Sequence, residues 1–266
     1  MKDRIITLTT DFGYQDPFIG VVKGAILKIN PLVNIVDLTH AIRPYDIREA
    51  ALTISMNYDY FPKDTIHLVV VDPGVGSNRR PILVATDDHY FIGPDNGVFS
   101  GIYTVSKKTL KVVHISNEEY FLKKDSSTFQ ARDVFAPVAA YLSKDAKISN
   151  FGEGITDYVK IPFPVSQIRD GSIHGEVIFI DRFGNAITNI KSSEIAKLKR
   201  SKPSVITKVL LKDREIPLQD FYAKAQDKGL YSLINSSDLL EFFVYIGNAS
   251  LDNGISIGDS AEVVLK

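Results

Sequence analysis

No cysteine occurs among the 266 residues, and no tryptophan. Without thiols there can be no disulfide, no thiolate nucleophile and no cysteine-ligated zinc, which fits a reducing compartment. Histidine is sparse: His40, His67, His89, His114 and His174 are scattered, none at metal-ligand spacing, so no metal is expected. An excess of one charge sign is also missing, since 31 basic and 32 acidic side chains leave a net charge of −1. That balance argues against nucleic acid as a partner and against a polybasic membrane anchor. No apolar run approaches bilayer-spanning length, and Met1-Lys2-Asp3-Arg4 leads into a strand-like segment without a leader-like core. A cytoplasmic location is the expectation. The G-x-G-x-x-G turn, the P-loop lysine and the G-x-S-x-G elbow are absent as well. Pyrophosphate and triphosphate ligands are thereby disfavoured, whereas a ribose without phosphates is not.

What is present is a chain with 44% hydrophobic residues, enough at this length for a substantial core. Ile5 to Thr9, Val33 to Leu38 and Thr65 to Val71 read as strands. Between them, Asp16 to Leu27 reads as a helix with Asp16 as N-cap and Pro17 at the first helical position. A second helix, Asp46 to Met56, is capped by Asp46 and turns Ala50, Ala51 and Ile54 inward. The βαβαβ order predicts a right-handed, mostly parallel sheet. Strands over Pro81 to Thr86, His89 to Gly93 and Lys111 to Ile115 follow, with helices over Val98 to Tyr103 and Val134 to Leu142. Beyond Gly152 the helical period disappears. Gly175 to Asp181, Ala186 to Ile190, Val205 to Leu211, Phe242 to Tyr245 and Ala261 to Leu265 are strand-like, whereas only Ser192 to Leu198 and Leu218 to Ala225 suggest helix. The expected organisation is a Rossmann-like α/β domain over 1–160, a linker over 161–172, and a small all-β barrel or sandwich over 173–266, with His174 read as a linker residue at the surface.

The chain is organised around Val69-Val70-Val71-Asp72-Pro73-Gly74-Val75-Gly76-Ser77-Asn78-Arg79-Arg80. A β-branched run ends at an aspartate, and a Pro-Gly-x-Gly turn follows at the strand's carboxyl end, where open α/β sheets bind ligands. Asp72 and Arg79 can meet over that crevice, either as a structural ion pair or as site residues. Asp11 ends the first strand, where a carboxylate can accept hydrogen bonds from vicinal hydroxyls or simply cap a turn. His40 ends the second strand and is a further candidate. In the second domain Asp181-Arg182-Phe183-Gly184-Asn185 combines an anion, a ring, a tight turn and an amide suited to a base edge. The competing reading is a hairpin with Phe183 in the core.

In chain order, Thr10-Asp11-Phe12-Gly13, Val36-Asp37-Leu38-Thr39-His40, Asp72-Pro73-Gly74-Val75-Gly76, Gly93-Pro94-Asp95-Asn96-Gly97, Thr128-Phe129 with Arg132-Asp133, Phe183-Gly184-Asn185 and Gly247-Asn248-Ala249 resemble the S-adenosylmethionine hydroxide adenosyltransferase family, relatives of fluorinase and chlorinase. The resemblance implies a Rossmann-like domain followed by a β-barrel, and a homotrimer with the ligand between subunits. It implies that Asp11 holds the ribose hydroxyls, Tyr45 lies near the ribose, and Asn185 with Asn248 and Ala249 takes the adenine. Asp181 and Ser236 would take the ammonium and carboxylate of methionine. The implied reaction is hydrolysis of S-adenosyl-L-methionine, the substrate, to adenosine and L-methionine, by in-line attack of water on the ribose 5′ carbon with no cofactor. Of the Asp, Arg and His that activate water in the family, Asp72 and Arg79 match, but Gln130 stands in place of the His. Glutamine can donate and accept hydrogen bonds but cannot take up a proton at neutral pH. The expectation is therefore a slow hydrolase with Asp72 as base, Arg79 orienting it and Gln130 holding the water. The alternative is a non-catalytic S-adenosylmethionine or adenosine binder that senses or sequesters. An anionic Asp72 would repel halide, which disfavours halogenation.

Overall fold

Alternating apolar runs and amphipathic segments in the first part of the chain build a layered α/β unit. The computed structural model describes residues 4–105, 110–123, 127–201 and 206–265, and the chain divides into two compact units, Met1–Pro162 and Phe163–Lys266. In the first unit, β1 (Ile5–Thr10), β2 (Asn34–Thr39), β3 (Ile66–Val70), β4 (Pro81–Ala85), β5 (Tyr90–Pro94) and β6 (Lys111–His114) form one sheet in the order β2-β1-β3-β5-β4-β6. β2, β1, β3 and β5 pair in parallel, and β4 lies antiparallel between β5 and β6, so that β6 runs in the same direction as β5. The sheet is mixed, but five of its six strands share one direction and β4 alone is reversed, so it is mostly parallel as expected. The connection from β4 to β5 is a tight turn closed by Thr86 N–H on the His89 carbonyl at 3.0 Å, too short for the crossover a parallel pair requires.

Ile66, Leu68 and Val70 of β3 belong to one apolar cluster and Val69 and Val71 to another, so this strand is buried on both faces. Helix α1 (Phe18–Ile29) packs into the first cluster, and α2 (Ile47–Asn57) and α3 (Ser100–Val105) into the second. Helix α4 (Ala136–Ser143) joins α1 in the first cluster. The expected Asp46 cap is present, its Oδ1 accepting the Glu49 N–H at 2.8 Å. The expected Asp16 cap is not: Pro17 occupies the N-cap position of α1 and no side chain caps it. The helix expected from Val134 begins instead as a π-helical run, Ala131–Phe135, that continues into α4.

One buried polar cluster stabilises this unit in a pH-dependent way. His67 on β3 bonds Thr7 Oγ1 through Nδ1 at 2.8 Å, approaches His89 Nδ1 through Nε2 at 3.3 Å, and stacks on Phe91. Burial, reinforced by His89, pushes the His67 imidazole down from 6.5 to about 3. Its folded-state value is the lower one, so the unfolded chain binds the extra proton and stability is lost as pH falls below about 6.5. Urea unfolding at pH 7, 6 and 5 should show a decline of up to about 1.4 kcal/mol per pH unit, diminished in His67→Gln. A wild-type stability that stays level over this window would contradict the assignment.

The second unit is a curled antiparallel half-barrel. Strands β7 (Gln167–Arg169), β8 (Ser172–Ile180), β9 (Ala186–Lys191), β10 (Ile206–Leu211), β11 (Arg214–Glu215), β12 (Leu230–Ile234), β13 (Leu239–Val244) and β14 (Ser260–Leu265) follow the path β11-β10-β14-β8-β9-β13-β12, with β7 against β8. Two-residue turns with positive φ at both positions, Asp170-Gly171 and Lys212-Asp213, close two of its hairpins. The segment after β11 reaches back to β12, Ser232 N–H donating to the Pro217 carbonyl at 2.8 Å and Gln219 N–H to the Ser232 carbonyl at 2.7 Å. Helix α5 (Ser192–Ser201) lies where expected, and α6 (Ala249–Asn253) is a short addition. The helix expected over Leu218 to Ala225 reduces to a single 3₁₀ turn, Tyr222–Lys224. Val205, expected to open β10, lies outside the described residues. His174 lies within β8, paired opposite Glu262 of β14. Among the described residues no helix is long and apolar enough to cross a membrane.

Candidate active site

Because β1 and β3 are parallel neighbours, Asp11 and Asp72 emerge side by side at the carboxyl edge of the sheet. The chain leaves β1 toward β2 on one side and leaves β3 toward β4 and β5 on the other, so the strand order reverses here, which opens a crevice. A cleft of about 760 Å³ occupies it, lined by Asp11 and Phe12 after β1, Val70, Asp72 and Val75 around β3, Pro44 and Tyr45, and Thr128 to Arg132. Phe12, Phe18 and Phe129 meet edge to face, with centroids 5.4 to 6.1 Å apart, as an apolar wall.

The turn after β3 folds Arg79 back onto Asp72. Val75 N–H donates to the Asp72 carbonyl at 3.2 Å and Ser77 N–H to the Gly74 carbonyl at 3.1 Å. Gly76, at φ 80°, supplies the left-handed residue that the reversal needs. Arg79 Nε donates to Asp72 Oδ1 at 2.9 Å and Nη2 donates to Asp72 Oδ2, a two-pronged ion pair. The side chains of Asp72 and Arg79 are only 5% and 9% exposed. Arg79 Nη2 also donates to Gln130 Oε1 at 2.6 Å. Gln130 stands immediately before the π-helical run, a helix irregularity common at functional sites. With its oxygen engaged by Arg79, the Gln130 amide is left to present N–H donors. Arg79 Nη1 is buried with no hydrogen-bond partner among the described residues, a donor such sites rarely leave idle. Arg132, stacked over Phe129 at 5.1 Å, is held by both carboxylate oxygens of Asp133 at 2.6 Å.

Asp11 Oδ2 accepts the N–H of Tyr45 at 2.9 Å. Tyr45 holds a left-handed backbone, φ 68°, and its side chain is 72% exposed, a conformation that costs a non-glycine residue about 1 kcal/mol or more. His40 is buried beneath the Asp11 loop. Its Nδ1 bonds Thr10 Oγ1 at 2.8 Å, its carbonyl accepts Gly13 N–H at 2.9 Å, and Tyr14 packs edge-on against its ring. His40 Nε2 lies 3.0 Å from Asp37 Oδ1 without hydrogen-bond alignment, so this contact is electrostatic. Burial opposes the charge on Asp37, but Lys23 at 2.7 Å and His40 outweigh it and hold its carboxyl below the usual range.

In the second unit Asp181 folds its own hairpin turn. Its Oδ1 accepts the N–H groups of Phe183 at 2.9 Å and Asn185 at 2.8 Å, and its Oδ2 lies 3.2 Å from Asn185 Nδ2. The hairpin reading is therefore right about the turn and wrong about the ring, because Phe183 is 73% exposed. Gly184, at φ 85°, packs so tightly on Asn248 that a Cβ would fall 2.1 Å from its Cγ. Asn248 caps α6, its Oδ1 accepting Leu251 N–H at 2.8 Å, and Ser250 N–H donates to the Gly184 carbonyl at 2.9 Å. The structure thus joins Asp181, Asn185, Asn248 and Ala249 in one cluster. Ser236 is exposed on the turn between β12 and β13. Sequence reasoning missed Glu241, a buried acid on β13 whose Oε1 accepts Tyr222 O–H at 2.7 Å. Its only signal was a charge inside an otherwise apolar strand.

Residues 6–152 match the family model of the SAM hydroxide adenosyltransferase N-terminal domain, and residues 175–262 that of the C-terminal domain. The chain is 35% identical over 272 residues to the (R)-S-adenosyl-L-methionine hydrolase of Methanocaldococcus jannaschii, covering 98% of this chain and 95% of that one. It is 30% identical over 261 residues to the protein of the same name from Thermus thermophilus, with coverage of 96% and 97%. Similarity to the fluorinase of Nocardia brasiliensis is lower, 26% over 223 residues and 73% of each chain. The crystal structure of an uncharacterized conserved protein from Thermotoga maritima superposes with a TM-score of 0.87 at 33% identity, covering 97% of this chain and 99% of that one. These matches span both units, and the chain belongs to the SAM hydroxide adenosyltransferase family.

Proposed function

We propose that the protein hydrolyses S-adenosyl-L-methionine to adenosine and L-methionine. Water attacks the ribose 5′ carbon in line with the sulfonium, the carbon–sulfur bond breaks, and methionine leaves as a neutral thioether. The observation that carries this reading is the buried Asp72–Arg79–Gln130 array at the lip of β3, in a chain whose relatives are named for this reaction. Asp72 receives the proton of the attacking water, Arg79 orients that carboxylate, and Gln130 holds the water through its amide. Positioning alone contributes several kcal/mol of barrier lowering. Asp11 and Tyr45 take the ribose, and Asn185, Asn248 and Ala249 the adenine. Asp181 and Ser236 take the methionine end. A homotrimer with intersubunit sites and a cytoplasmic location belong to the same reading, on the strength of the resemblance, and light scattering tests the assembly.

Incubation with S-adenosylmethionine should yield adenosine and methionine in equal amounts by chromatography, independent of added chloride or fluoride. A 5′-halo-adenosine product would overturn the reading. Tight binding without turnover would favour a sensing or sequestering protein, which the glutamine at position 130 makes the second reading.

A further inference from the structure

Strand β13 turns alternate residues to opposite faces of its sheet. Leu240, Phe242 and Val244 enter the apolar core, so Glu241 lies on the other face. Glu241 pairs with Ile187 of β9, and Asn185, two residues before Ile187, therefore shares its face. Leu233 of β12 is the partner of Glu241 on the other side, which brings Asn235 to the same face.

The acid is nearly sealed, at 2% exposure, yet no basic side chain pairs with it or with Asp181 among the described residues. Its two oxygens are used separately. Oε1 accepts Tyr222 O–H at 2.7 Å, and Oε2 accepts Asn235 Nδ2 at 3.0 Å. That second bond fixes which way the Asn235 amide faces. Its Oδ1 then accepts the N–H groups of Ser237 at 2.9 Å and Leu239 at 3.1 Å, and the loop closes through Asn235 N–H on the Leu239 carbonyl at 2.8 Å. The turn so shaped carries Ser236. Burial raises the Glu241 carboxyl, opposed by its bonds to Asn235 and Tyr222, and the charge of Asp181 adds to the rise. A buried acid with no cation partner is costly.

We propose that Glu241 is a positioning residue for the amino-acid end of the substrate: it locks the Asn235 amide, and through it the turn that presents Ser236. This rests on the assignment of Ser236 to methionine.

Calorimetric titration compares two ligands, S-adenosylmethionine and 5′-methylthioadenosine, which keeps the nucleoside and lacks the ammonium and carboxylate. The wild type should bind both. Glu241→Gln keeps the shape but turns one of the two acceptor oxygens that hold Tyr222 and Asn235 into an N–H donor, and it should weaken S-adenosylmethionine about tenfold while leaving 5′-methylthioadenosine unchanged. Asn235→Ala, which keeps the carboxyl of Glu241 but removes the bond between it and the turn, should show the same selectivity. Equal losses for the two ligands, or no loss, would overturn the proposal. Should Glu241→Gln fail to fold, Asn235→Ala alone decides it. Wild-type protein that binds neither ligand would instead overturn the functional reading, so the two failures are distinguishable.

Discussion

Replacing Asp72 by asparagine is expected to lower the rate of S-adenosylmethionine hydrolysis by about two to four orders of magnitude. Both carboxylate oxygens face the Arg79 guanidinium, so the isosteric amide keeps the volume of the turn but loses the proton acceptor. One of its atoms becomes an N–H donor pointed at the donors of Arg79, which forces the turn to adjust. The guanidinium is nine-tenths buried and would be left uncompensated, at a stability loss of about 3–5 kcal/mol. The experiment therefore pairs the rate with thermal melting and with S-adenosylmethionine affinity. A fall in kcat with the affinity largely retained supports a chemical role for Asp72. A folded variant that turns over at nearly the wild-type rate removes Asp72 from the mechanism.

The second large effect runs in the opposite direction. Gln130→His should raise kcat by about tenfold or more and add an acidic limb to the pH–rate profile, at or below about 6.5. Arg79 Nη2, which donates to Gln130 Oε1 at 2.6 Å, would lie beside an imidazole placed there, and its positive charge would favour the neutral ring, whose single lone pair must then face the water and not Arg79. A neutral imidazole can accept the proton of the attacking water, which a glutamine cannot. The wild-type profile should lack that limb. If the variant gains neither rate nor limb, the identity of the residue at 130 does not govern turnover, and the orienting role of the Asp72–Arg79 pair carries the whole reaction.

Much of this was legible in the chain because it depends on neighbours in sequence. The Pro-Gly-x-Gly turn brings Asp72 and Arg79 together across only seven residues. The Asp46 cap and the inward face of α2 follow from local propensity and period. Other features were hidden because they depend on distant partners. The reversal of β4 reflects a tight connection to β5 that the alternation of apolar runs does not reveal. The hairpin at Asp170-Gly171 lies in a stretch that reads as linker, since β7 is only three residues long and exposed throughout and so carries little apolar signal. Phe183 reads equally as a core residue or a surface ring, and only the cap of Asp181 over the turn decides for the surface. Glu241 was invisible as a functional candidate, because its partners Tyr222 and Asn235 come from separate segments.

The amino-acid sequence by itself determined the local chemistry of this protein: where the strands end in carboxylates, where glycine allows reversal, and that position 130 cannot accept a proton. Those properties belong to single side chains and short spans of backbone. Only the tertiary structure decided that Asp11 and Asp72 share one crevice, that Arg79 reaches Gln130, and that a buried glutamate underlies the Ser236 turn. Such proximities arise from strand register and burial, which couple residues far apart in the chain and leave no trace in either one alone.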